Sequence, residues 1–345
     1  MFEKNLKYYR LKNKMTRKAL AEAIGVTPMA ISNYESGKRR PSMDTIKLLA
    51  EVLHVTITDF LACNDTGLQF SHGKFKKSTT LGLMDQEYIL ESVEEYFSRF
   101  FQVVSILGGQ DILAQSPKSG LIPWNDNIDE AASQLRKYLG IPEYGPINNL
   151  VEILENNGIL VFFIDYESDD FAGLNGTVNE IPYIVINSNM SPLKIRYTIV
   201  HEVAHFAFNW PDNLSEIEEE QNVNDISGAF LFTREDAIRE LGIKRSCISK
   251  AMTITCVEYG IGIYMLTRRA RLNEIINDSA EKDFYSKASK MGWRNNEPDW
   301  GIQKETPNLF KQLVYRAVTE EEISVQKGAE LLQTSYESVL QNCYF

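Results

Sequence analysis

Two of the four histidines in the chain stand four residues apart, at His201 and His205, with Glu202 beside the first. On a helix, positions i and i+4 share one face, so both imidazoles can reach a single ion. Two imidazoles and a carboxylate leave a fourth tetrahedral position open to water, which is the donor set of a catalytic zinc site rather than a structural one. Zinc in such a site lowers the pKa of water to about 7, and a neighbouring carboxylate takes the proton as the water attacks a carbonyl. The segment therefore predicts hydrolysis with Zn2+ as cofactor, His201 and His205 as ligands and Glu202 as the catalytic base.

A third ligand has to come from elsewhere. His54 and His72 lie far upstream, whereas the acidic run Glu216, Glu218, Glu219 and Glu220 follows closely. On a helix over 217–232 the apolar face is Val223, Ile226 and Phe230. Glu219 and Glu220 both fall near that face, and periodicity does not choose between them. Glu216 and Glu218 read as solvated.

The elements that must position these groups are legible in outline. Pro192 opens a helix running to about Phe208, which carries the histidines. Ahead of it, Ile159–Ile164, Phe171–Gly176 and Ile181–Ile186 are β-branched and aromatic runs that read as strands. Residues 146–157 read as a helix ended by Gly158, and 248–277 as one or two more. Residues 85–106 carry an aromatic stripe at Tyr88, Tyr96, Phe97, Phe100 and Phe101, which reads as core or a dimer seam. In the tail, Trp293 and Trp300 flank a loop-like Asn295-Asn296-Glu297-Pro298, and two helices are expected around 307–319 and 323–341. No internal repeat of fixed period is visible.

The N-terminal segment has a different logic. Thr16 caps a helix ended by Gly25, Thr27-Pro28 opens the next, and Gly37 ends that one. A helix, a tight turn and a second helix presenting its first residues outward is the arrangement that reads a major groove. Ile31 and Tyr34 can pack inward while Met29, Ser32 and Asn33 face out, and Lys38-Arg39-Arg40 follows where phosphates would lie. Net charge is -11 overall, yet residues 1–64 hold eleven Lys/Arg against six Asp/Glu, so a basic module is joined to an acidic body.

Composition fits soluble protein, no run of about 18 apolar residues suggests a membrane span, and the N-terminus lacks a signal peptide's apolar core. Cys63, Cys247, Cys256 and Cys343 form no CxxC pair, which suits a reducing cytoplasm. A cytoplasmic location with no membrane partner is expected.

Residues 6–61 resemble the Cro/repressor-type (XRE) helix-turn-helix family. The resemblance rests on Leu6, Arg10, Met15-Thr16, Leu20-Ala21, Ile24-Gly25-Val26-Thr27, Ile31-Ser32, Tyr34-Glu35-Ser36-Gly37-Lys38, Pro41-Ser42 and Leu49-Ala50. The family often has Gln where Arg17 and Pro28 stand here; Arg17 can still hold a phosphate, whereas Pro28 offers no hydrogen-bonding side chain. The resemblance implies a DNA face made by Arg17, Thr27, Pro28, Met29, Ser32, Asn33, Lys38, Arg39 and Arg40, and a homodimer on a palindromic operator.

Residues from about 140 to 275 resemble the ImmA/IrrE family of metallopeptidases. The signs are Pro146–Gly158, Ile184-Val185-Ile186-Asn187 and Arg196-Tyr197-Thr198-Ile199-Val200-His201-Glu202. The family's downstream Glu, two residues, Ala-Asn pattern appears as Glu220-Gln221-Asn222-Val223-Asn224, which implies Glu220 as third ligand. The usual sequel appears loosely, as Ile226-Ser227 and Phe230-Leu231-Phe232-Thr233. The resemblance also implies that strand 181–187 pairs with an extended substrate by strand addition.

The expected fold is therefore multidomain: an all-α helix-turn-helix domain over 1–64, a linker over 65–84, an α+β zincin-like metallopeptidase domain with its preceding helix over 85–280, and a helical C-terminal region over 281–345. The expected function is a DNA-binding transcriptional regulator whose zinc peptidase domain acts on a regulatory protein, such as a repressor, in a stress or mobile-element response. The alternative is an antitoxin-like regulator whose zinc domain binds a partner, such as a toxin, or senses a signal without cutting.

Overall fold

The computed structural model of the chain describes residues 2–61, 67–73, 75, 81–294 and 297–344. Cys63, Asn295 and Asn296, and residues 65, 66, 74 and 76–80 of the expected linker, lie outside these. The first five helices are α1 (Phe2–Lys12), α2 (Arg17–Ile24), α3 (Pro28–Glu35), α4 (Met43–Val52) and α5 (Ile57–Leu61). A short strand β1 (Phe70–His72) and the long helix α6 (Leu83–Ile106) follow. Next come β2 (Ile122–Pro123), α7 (Ile128–Tyr138), α8 (Leu150–Asn156), β3 (Leu160–Ile164), β4 (Gly173–Val178) and β5 (Ile181–Asn187). The histidine helix is α9 (Pro192–Ala207), followed by β6 (Phe208–Asn209), α10 (Glu216–Leu231), α11 (Arg234–Leu241), α12 (Thr253–Tyr259), α13 (Ile263–Leu272) and α14 (Asp278–Lys290). The chain closes with α15 (Leu309–Thr319), α16 (Val325–Leu332) and α17 (Tyr336–Cys343). It is thus a multidomain protein: a helical N-terminal region, a helix-and-sheet region and a helical C-terminal part.

Contacts gather these elements into two compact units. The first comprises Met1–Leu113, Val178–Glu180 and Asn308–Phe345; the second comprises Ala114–Thr177 and Ile181–Pro307. In the first unit the caps form as their residue types dictate. Thr16 Oγ1 accepts from Ala19 N at 3.1 Å, and Thr27 Oγ1 from Ala30 N at 3.2 Å. Gly25 turns the chain between α2 and α3 with φ +71°, a left-handed conformation that glycine adopts without steric cost. Leu6, Leu20, Ala21, Ile31, Leu49 and Phe60 form the small core beneath. Helix α6 packs on α1, where Lys7 Nζ lies 2.7 Å from a Glu91 carboxylate oxygen and Lys4 Nζ 3.3 Å from Glu94.

The last helices repeat this geometry, although the sequence shows no repeat. Ser324 caps α16 as Thr16 caps α2, and Ser335 caps α17 as Thr27 caps α3. Gln333, with φ +51°, stands where Gly25 does, and Thr334 N bonds Ala329 O at 3.0 Å as Val26 N bonds Ala21 O at 2.9 Å. Val339 is buried at the register of Ile31. At the register of Leu20 stands Gly328, and a Cβ there would lie 2.9 Å from Val318 Cγ2 and 3.3 Å from Val339 Cγ1.

In the second unit β3 and β5 pair in parallel, Leu160 opposite Tyr183 through Ile164 opposite Asn187. β4 and β5 form a hairpin through Asn179 and Glu180, both with positive φ, as a two-residue turn of the primed type requires. The order β4-β5-β3 puts β5 in the middle, and all seven of its residues are buried. This overturns the expectation that strand 181–187 adds a substrate strand, because both of its backbone edges already face neighbours. Helix α9 lies on β5 and packs against α10, which packs in turn on α7. Val161, Ile184 and Ile186 of the sheet share one core with Ile195, Ile199, Val203 and with Val223, Ile226 and Phe230.

The tight fit at Gly328 yields a prediction. Gly328→Leu, which restores the residue found at the equivalent register of α2, forces α15, α16 and α17 apart. It should cost about 1–3 kcal/mol, the usual range for overpacking, read as a lower denaturant midpoint with an unchanged slope.

Candidate functional site

The site is built on the buried face of α9. Ser191 Oγ caps the helix, accepting from Lys194 N at 3.4 Å, and Pro192 occupies its first turn. His201 and Glu202 are buried, with His205 half-buried one turn on. Facing them, α10 starts on a capping box: Ser215 Oγ accepts from Glu218 N at 3.3 Å, while a Glu218 carboxylate oxygen accepts from Ser215 N at 3.0 Å. Glu218 is thereby consumed as a cap, Glu216 is exposed, and the half-buried Glu219 and Glu220 turn toward α9.

Glu220 and Glu219 take different places. His201 Nε2 and His205 Nε2 lie 3.2 Å apart. One Glu220 carboxylate oxygen is 3.3 Å from His205 Nε2, and the other is 3.6 Å from His201 Nε2. Among the described residues His201, His205 and Glu220 are the group whose donor atoms converge in this way. A zinc ion about 2.0–2.1 Å from tetrahedral nitrogen and oxygen donors sets those donors roughly 3.3 Å apart. The donor chemistry and the spacings therefore both fit zinc. Glu219 Oε1 lies instead 2.8 Å from Nδ1 of His205, on the other side of the ring.

Glu202 has a companion on β4 that the sequence did not reveal. Asn175 Nδ2 donates to Glu202 Oε2 at 2.8 Å. β4 can come this close because residue 173 is glycine: a Cβ there would lie 2.8 Å from Thr198 Cγ2 and 3.1 Å from Glu202 Cγ. Tyr197, one turn before His201, has its hydroxyl 2.9 Å from Asn224 Oδ1 and ties α9 to α10. Burial, with the nearby Asp225 and Glu220 charges, pushes its phenol pKa up.

In the helix-turn-helix, Met29 at the start of α3 is 67% exposed, with Thr27, Pro28, Lys38, Arg39 and Arg40 exposed around it. Ser32 and Asn33 are half-buried on the same helix. Arg17 Nε donates to Glu35 Oε2 at 2.6 Å, and the buried Arg10 shares the same carboxylate. Glu35 thus joins α1, α2 and α3, and Arg17 is held across the turn.

Comparison with known proteins agrees with this division. The helix-turn-helix family model matches residues 6–60, and the model described as the IrrE N-terminal-like domain matches residues 154–248. The chain therefore joins an XRE-type helix-turn-helix domain to an IrrE/ImmA-like peptidase-family domain. An uncharacterized HTH-type transcriptional regulator, YqaE of Bacillus subtilis (strain 168), is 31% identical over 77 residues, 22% of this chain and 66% of that protein. The HTH-type transcriptional activator BcrR of Enterococcus faecalis is 36% identical over 61 residues, 18% of this chain and 30% of that protein. No solved structure matches the chain.

A pH dependence follows from His205. Burial alone would lower its pKa, but the hydrogen bonds its ring donates to Glu220 and Glu219 and the charge of Glu202 outweigh it, and the pKa is raised. In the metal-free protein the protonated ring stabilises the fold fully below the ordinary histidine pKa, and that contribution is lost as pH rises through the raised value. Metal binding has the opposite dependence, because it needs the neutral ring. Zinc affinity, measured by competition with a chromophoric chelator, should rise with pH until His205 is fully deprotonated. His201→Ala and His205→Ala should each abolish the stoichiometric binding of one ion per chain.

Proposed function

We propose that the chain is a DNA-binding transcriptional regulator carrying a zinc-dependent peptidase that cleaves a regulatory protein. The observation that carries the peptidase reading is the meeting of His201, His205 and Glu220 with Glu202 buried beside them. A structural zinc site gains nothing from a second carboxylate buried beside its ligands and has no open position. Zinc, when bound, supplies the Lewis acid that acidifies water and polarises a carbonyl.

The work of the chain's own residues follows from their places. Glu202 takes the proton of the attacking water and returns it to the amide nitrogen as the C–N bond breaks. Asn175 donates to its Oε2 and so fixes the orientation of the carboxylate beside the two histidines. Burial of Glu202 strengthens both interactions by excluding solvent.

The DNA reading rests on the exposed start of α3, the basic run Lys38-Arg39-Arg40, and relatives described as transcriptional regulators. A cytoplasmic site of action and a dimer on a palindromic operator belong to the same reading. Affinity of the full chain for operator DNA should fall steeply with salt. Replacing Lys38, Arg39 and Arg40 by Ala should weaken all sequences alike, and Ser32→Ala with Asn33→Ala should mainly erode discrimination between sequences.

The decisive variant for catalysis is Glu202→Gln, nearly isosteric and not a ligand. It should keep zinc and fold while cleavage falls by orders of magnitude, because an amide cannot take the water's proton. The measurement is mass spectrometry of proteins encoded beside the gene after incubation with each form. If Glu202→Gln behaves as wild type in that assay and in cells while His201→Ala disturbs function, the domain binds a partner without cutting it.

A further inference from the structure

The carboxylate of Glu219 is outside the donor group, yet it makes the shorter contact to His205. Its Oε1 stands 2.8 Å from Nδ1, while Nε2 of the same ring faces His201 Nε2 and Glu220. A neutral imidazole carries one proton, and the nitrogen that lacks it is the one with a lone pair to give. A carboxylate against Nδ1 can only accept, and at 2.8 Å it stands closer than the Glu220 oxygen 3.3 Å from Nε2, so it favours the neutral ring protonated on Nδ1. We propose that Glu219 is a positioning residue: it fixes the tautomer and the plane of His205, so that Nε2 is presented as a donor before any metal arrives. The inference rests on the reading of His205 as a ligand given above.

Three observations support the assignment. Residues 219 and 220 adjoin on α10, so a single helix start sends one carboxylate to each side of the same ring. The capping box at Ser215 and Glu218 fixes the direction of that first turn, so Glu219 is not free to swing away with a fraying end. His205 is itself the less buried of the two histidines, with 18% of its side chain exposed against 4% for His201. Packing thus constrains His205 less, and the hydrogen bond to Glu219 supplies the missing constraint. A carboxylate behind a ligating histidine also raises the basicity of the donor nitrogen, and its removal typically weakens metal binding about 10–100-fold.

The test uses the full-length protein, with selectively 15N-labelled histidine and Co2+ as the metal probe. With four histidines in the chain, the His205 signals are identified by their loss in His205→Ala. In the metal-free wild type, the neutral ring should show its proton on Nδ1. Glu219→Gln, whose amide oxygen still accepts, should keep that tautomer and bind Co2+ with intermediate affinity. Glu219→Ala should move the ring toward the Nε2-protonated form and bind Co2+ about 10–100-fold more weakly, still at one ion per chain. A purely structural role in starting α10 would lower thermal stability in Glu219→Ala and leave both tautomer and Co2+ affinity unchanged, and that result overturns the proposal. If the wild type binds no Co2+ or Zn2+, the metal reading fails. The tautomer in metal-free Glu219→Ala then still decides whether Glu219 orients His205.

Discussion

Two imidazole nitrogens held 3.2 Å apart on a buried helix face are the constraint around which the second unit is arranged. Buried polar groups are tolerated only when partnered. Around these the partners come from three directions. α10 contributes Glu219 and Glu220, β4 contributes Asn175 to the neighbouring Glu202, and α9 itself sets the spacing of the rings. Each partner depends on a local device. The α10 carboxylates depend on a helix start fixed by Ser215 and Glu218, and the approach of β4 depends on the missing side chain at Gly173. The apolar face of α9 supplies the energy of burial through Ile195, Ile199 and Val203, which pack on the sheet and on α10.

The first unit is held by a different kind of centre. Glu35 gathers Arg10 and Arg17, so a single carboxylate at the end of α3 fixes the register of the two preceding helices. The basic character of the N-terminal segment is accordingly divided. Lys4 and Lys7 face carboxylates of α6, while Lys38, Arg39 and Arg40 are exposed beyond α3.

Much of this is legible in the sequence. The spacing of His201 and His205, the caps at Thr16 and Thr27 and the turn at Gly25 are local features, and local features are what a sequence states most directly. The residues that were missed act at long range. Asn175 sits in a strand segment of ordinary pattern, and nothing along the chain says that it points at Glu202, 27 residues on. The separate tasks of Glu219 and Glu220 depend on which side of the His205 ring each reaches, which helical periodicity cannot resolve. The place of β5 inside the sheet was hidden because a run of buried residues reads alike at an edge and in the middle. That α6 and α15 to α17 belong with the helix-turn-helix was equally invisible, since Arg99 reaches the carbonyl of Leu331 across 232 residues.

The paired helices at the two ends of the first unit separate shape from message. Residues 16–35 and 324–343 bend the backbone in the same way, through two capped eight-residue helices and a left-handed residue between them. The first is followed by three consecutive cations; the second shows Tyr336, Glu337 and Leu340 at the surface where the first shows Pro28, Met29 and Ser32. A scaffold whose form comes from hydroxyl caps and one torsion angle leaves its outward side chains unconstrained. The same bend can therefore be a reader of polyanions in one place and a plain structural joint in another, and only the decoration tells them apart.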